Sequence, residues 1–74
     1  MARLTEIRKA VLQELVRTDG THSQRIARHL GCAQTSVASA LQWLRRTGYV
    51  EVIGYWHATP AGRAALAKEL QDHG

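Results

Sequence analysis

Five uncharged polar side chains stand close together in one short stretch: Gln34, Thr35, Ser36, Ser39 and Gln42. Amides and hydroxyls both donate and accept hydrogen bonds, so such a set reads a pattern of donors and acceptors rather than a net charge. Arg45 and Arg46 follow, and guanidinium groups suit phosphate oxygens and the guanine edge. No Asp or Glu lies between Ala33 and Tyr49. An ordinary solvated face mixes acids with bases, whereas a face bordered by phosphates selects against acids. A looser set precedes this one at Thr21, His22, Ser23 and Arg25, with Arg28 beyond it. These are groups that hold a phosphate where a helix begins and its backbone N–H groups are free. The first set fits base edges in a duplex major groove, about 12 Å wide and able to admit one α-helix, with Gln42 matched to adenine. The plainer reading of both sets is a solvated polar surface.

The chain offers no comparable set for catalysis. His22, His29, His57 and His73 share no metal-ligand spacing with a thiol or carboxylate. No glycine-rich phosphate loop is present. Cys32 is the only cysteine, which excludes an internal disulfide and a multi-thiolate zinc site, and it reads as an inert packed thiol. Neither enzyme activity, nor a metal, nor a cofactor is expected. No apolar run approaches 18 residues, so no membrane span is expected. Met1–Glu6 runs straight into a charge-bearing amphipathic pattern instead of a leader's apolar stretch. A cytoplasmic, nucleoid-associated location follows as an expectation.

Whatever these residues do, helices must position them. The 74 residues allow one domain, expected over 1–74, and a domain this small leaves little room for a deep cavity beside its core. Composition is globular, at 45% hydrophobic and 22% charged. The formal net charge is +4, which favours a polyanionic partner. The excess sits mid-chain, where Glu51 is the sole acid between Thr21 and Lys68 among five arginines.

Leu4, Ile7, Val11, Leu12 and Leu15 form one stripe at helical spacing, predicting a helix over about 5–18, with Thr5 to cap it and Asp19-Gly20 to end it. Thr21 and Gln24 read as a capping box for a helix over about 22–30, stopped by Gly31. A third helix spans about 34–47, with Val37, Leu41 and Leu44 on one face and Thr35, Ser39, Gln42 and Arg46 on the other. Ala33 is a poor cap for it. Tyr49–Ile53 reads as a strand, Gly54 as a turn and Tyr55–Ala58 as a return strand, giving a hairpin over about 49–58. Thr59-Pro60 opens a helix over about 60–71, with Leu66 and Leu70 on one face and a tail, Gln71–Gly74, expected to fray. Trp43 and Trp56 are expected to pack, Trp43 under the hairpin. The fold class is therefore mainly α with a small β-hairpin: three helices, a two-stranded wing and a C-terminal helix.

Three segments carry a family resemblance. Thr21–Gly31 resembles the first half of a bacterial winged helix-turn-helix, Ser36–Val50 its recognition helix running into the wing, and Ala58–Arg63 the step into the following helix of MarR-type and PadR-type transcriptional regulators. The likeness spans about Leu4 to Leu70. It implies sequence-specific binding of double-stranded DNA by a small bacterial or phage regulator. Gln34, Thr35, Ser36, Ser39 and Gln42 would then face bases, and Thr21, His22, Ser23, Arg25, Arg45 and Arg46 phosphates. The chain departs from MarR-type proteins in two ways. It lacks their additional dimerisation and effector helices, so no small-molecule effector is expected. Its wing, Ile53-Gly54-Tyr55, carries no cation, leaving Tyr55 and His57 as the wing's polar contacts. A homodimer on a palindromic site is expected, with Leu66 and Leu70 on its surface. The alternatives are a winged-helix protein-interaction module within an assembly and a nonspecific DNA-binding accessory in recombination or replication.

Overall fold

Apolar side chains at helical spacing on the first three helices meet in a single core. The computed structural model describes residues 4–72, and His73 and Gly74, within the tail expected to fray, lie outside them. The elements run α1 (Glu6–Thr18), α2 (Ser23–Leu30), α3 (Gln34–Thr47), β1 (Val50–Ile53), β2 (Tyr55–Ala58) and α4 (Pro60–Asp72). Val11, Leu12 and Leu15 of α1, Ile26 of α2 and Val37, Leu41 and Leu44 of α3 are fully buried together. Each such side chain gains about 1.5–3 kcal/mol by leaving water, which makes this cluster the main source of stability. Val50 and Leu66 close the core from the hairpin and from α4. Three helices, an antiparallel hairpin and a final helix make a winged helix-like fold.

The wing is fixed at its base. β1 and β2 pair antiparallel, with Val50 opposite Ala58, Glu51 opposite His57, Val52 opposite Trp56 and Ile53 opposite Tyr55. On the far side of β2, Thr21 and Trp56 exchange two backbone hydrogen bonds of 3.0 Å each. β2 is therefore held from both edges, and the segment joining α1 to α2 serves as a third, single-residue strand. Trp56 is half-buried against the core, as expected of it.

Several local expectations are revised. Thr21 does not cap α2. It is 8% exposed, its backbone is committed to Trp56, and His22 occupies the cap position with no side-chain hydrogen bond, so the capping box does not form. Thr5 and Ala33 stand at the starts of α1 and α3, again without a side-chain bond. Asp19, not Gly20, takes the left-handed position that ends α1, at φ 59; a short carboxylate side chain tolerates that region better than most. Gly20 has a different task. The Tyr55 ring lies so near that a Cβ at Gly20 would sit 2.5 Å from Tyr55 Cε2. Tyr49 falls outside β1, which begins at Val50.

The start of α4 follows expectation. Thr59 Oγ1 accepts from the Gly62 N–H at 3.1 Å and donates to the Gly48 carbonyl at 2.7 Å. One side chain thus caps α4 and ties it to the end of α3. Gly62 is buried, and any side chain there would collide with the Tyr49 carbonyl. Leu66 is taken into the core at 5% exposure, which removes it from any dimer surface; Leu70 stays 49% exposed. No helix among the described residues is long and apolar enough to cross a membrane.

Candidate nucleic-acid interface

α3 has two sharply different faces. Val37, Ala40, Leu41 and Leu44 are buried against α1 and α2, and this packing fixes the helix in rotation. The other side therefore points outward by geometry. Gln34, Thr35, Ser36, Ser39 and Gln42 are all exposed, with Ala38 among them. Among the described residues, no segment covers Ser39 or Gln42. Fourteen helical residues span about 21 Å, enough to follow a groove for several base pairs. Arg45 and Arg46 are exposed in the last turn. Neither forms an ion pair among the described residues.

Trp43 braces the C-terminal half of α3. The Arg8 guanidinium lies 3.9 Å from its ring centroid, and Tyr49 meets it edge-on at 6.3 Å. Its partners come from α1 and from the link into the wing. Thr47 adds a hydrogen bond of 2.8 Å from Oγ1 to the Trp43 carbonyl.

The structure brings the start of α2 and the wing together. His22 is exposed at the cap position, and its ring meets Tyr55 edge-on at 6.1 Å. The Tyr55 and His57 rings lie 4.2 Å apart, tilted by 39°. Gly20, Thr21, His22, Arg25 and Tyr55 line an open depression of about 310 Å³. Two sets that the sequence presents separately, the α2 start and the wing's Tyr55 and His57, thus form one surface. Within it Ser23 is half-buried, and Thr21 contributes chiefly backbone. Neither α2 nor α3 has a side-chain cap, so the N–H groups of their first turns keep their capacity to bond an external acceptor.

A larger groove of about 610 Å³ runs between α1 and α2, lined by Arg25, Arg28, Arg17, His29 and Glu14 among others. Its chemistry is mostly internal. Glu14, 7% exposed, accepts from Arg17 at 2.7 and 3.1 Å and shares a hydrogen bond of 2.6 Å with His29 Nδ1. The Arg17 guanidinium holds the Glu14 carboxyl below the usual carboxylate range; burial opposes this and the His29 bond adds to it. Sequence reasoning misses this cluster. Spacing of i and i+3 signals the Glu14–Arg17 pair, but His29 joins only through the packing of α2 on α1. The same holds for Arg63, which reaches Asp19 at 3.0 Å across the fold.

Cys32, in the turn between α2 and α3, is half-buried with its Sγ 3.7 Å from the Leu30 carbonyl oxygen. No group of three His, Cys, Asp or Glu side chains able to hold a metal occurs among the described residues. No protein-family model, curated protein or solved structure matches the chain.

Proposed function

We propose that this chain binds double-stranded DNA by laying the outer face of α3 in a major groove, as a small transcriptional regulator of the MarR/PadR-like kind. The observation that carries this reading is an acid-free row of Gln34, Thr35, Ser39 and Gln42 ending in two arginines, uncovered and without carboxylate partners among the described residues. Small polar groups at the front of the helix let it approach base edges, while Arg45 and Arg46 stand where a phosphate strand would pass. His22 and Arg25, beside the uncapped start of α2, supply a second phosphate contact. One such unit contacts few base pairs, so a symmetric homodimer on a palindromic site is part of the proposal, with exposed Leu70 of α4 on its contact surface.

Salt titration of binding to selected and random duplexes tests this. Arg46→Ala is expected to weaken binding to all sequences and lower the salt slope by about one. Gln42→Ala is expected to lose about 1–3 kcal/mol of base discrimination. Binding by both variants indistinguishable from the parent would reject α3 as the groove element. A parent chain without sequence preference would favour the nonspecific accessory role, and one with no affinity for duplex would favour a protein-interaction module.

A further inference from the structure

The wing tip is apolar and exposed, yet its strands are tied into the fold. Ile53 is 67% exposed, the highest of the large apolar side chains among the described residues, and Val52 and Tyr55 beside it are also exposed. The segment Val52-Ile53-Gly54-Tyr55 has no charge, and the wing's acid, Glu51, lies further back opposite His57. Such a tip would normally be mobile or covered. Here it is pinned by four strand pairs, by the Thr21–Trp56 bridge and by Tyr55 seated over Gly20 between His22 and His57. The adjoining depression holds His22 and Arg25, so the ground around the tip suits a polyanion while the tip itself suits an apolar slot.

We infer that Ile53 acts as an apolar wedge, entering the minor groove beside the α3 site and parting a base step so that the duplex bends. This rests on the DNA-binding reading above and adds to it the manner in which the wing engages. A cation at a wing tip reads groove potential without unstacking bases. A branched alkyl group gains nothing from phosphates and is stabilised only by leaving water, which base-step insertion provides. Unstacking costs a few kcal/mol per step, least at flexible pyrimidine–purine steps, and it kinks the duplex by roughly 20–90°. The partner is therefore a deformable duplex, and the wing selects by bendability where it makes no base hydrogen bond.

The test uses the full chain and a duplex of about 30 base pairs, drawn from those it binds and labelled at both ends for energy transfer, with a TA step placed beside the α3 site. The parent chain is expected to shorten the end-to-end distance. Ile53→Ser is expected to keep its helical circular dichroism, bind within about tenfold of the parent and leave the duplex straight, while Ile53→Met retains the bend. A straight duplex under the parent chain, or equal bending by Ile53→Ser, overturns the wedge and leaves the α3 reading standing. So does a finding that Ile53→Ser changes only the oligomeric state or only binding to anionic vesicles, since the tip would then serve another copy or a lipid surface. Absence of duplex binding by the parent chain overturns both readings together.

Discussion

The junction of α1 with α2 and the outer face of α3 are both polar and both rich in arginine, yet they are built in opposite ways. At the junction, Glu14 is drawn inward and satisfied by Arg17 and His29, and Asp19 takes Arg63. Both acids there are satisfied within the fold, although Arg25 and Arg28 nearby form no ion pair among the described residues. On α3, Arg45 and Arg46 face water with no carboxylate among the described residues, beside a row of neutral polar groups. In the last turn of α3 the two arginines gain only the modest favour of the helix dipole, and as neighbours they repel one another. Charge that serves the fold is paired, and charge left open in one sign is available to an external anion.

The sharpest way to break the comparison is to weaken the scaffold under both regions. Leu41→Ala removes a fully buried side chain of α3 and is expected to cost about 2–5 kcal/mol in denaturant unfolding. Both surfaces should then fail together. Reversing charge at Arg45 and Arg46, each to Glu, should separate them. Stability should fall by only about 1–2 kcal/mol, because each Glu faces the negative end of the α3 dipole, while duplex affinity measured by anisotropy at about 0.1 M salt falls roughly tenfold for each phosphate deprived of its arginine.

Glu14→Gln attacks the other region. It is expected to cost about 1–2 kcal/mol near neutral pH and to leave duplex affinity unchanged. Because folding lowers the Glu14 pKa, its contribution is fully present above the ordinary carboxylate value. It fades as pH falls through that value toward the lower folded one. Melting curves of parent and variant should therefore converge in acid; a constant gap would show that the carboxylate charge is not what the cluster uses. The smallest effect is expected at Thr59→Ala, which removes the α4 cap and the tie to Gly48 for about 1 kcal/mol in thermal unfolding, again without altering binding.

Much of this architecture is legible in the chain itself. The apolar stripes of α1 and α3, the stops at Gly31 and Gly48 and the Thr59-Pro60 start each follow from local backbone and side-chain chemistry, so α3 falls at 34–47 and the hairpin turns at Gly54. The outer residues of α3 are equally legible, because helical periodicity places them opposite Val37, Leu41 and Leu44. The errors arise where a residue has two possible partners. Thr21 has the right local pattern for a capping box, but pairing with Trp56, 35 positions away, claims its backbone instead. Leu66 and Leu70 share a helical face, yet only Leu66 reaches the core.

Sequence alone thus determined the elements, their boundaries to within a residue or two and the acid-free character of α3, since each depends on neighbours in the chain. The tertiary structure decided which polar groups were consumed and which were left open. It gave His29 to Glu14, joined His22 to Tyr55 and exposed Ile53 on a pinned tip. Those outcomes depend on how helices and strands distant in sequence come together, and no local pattern encodes that.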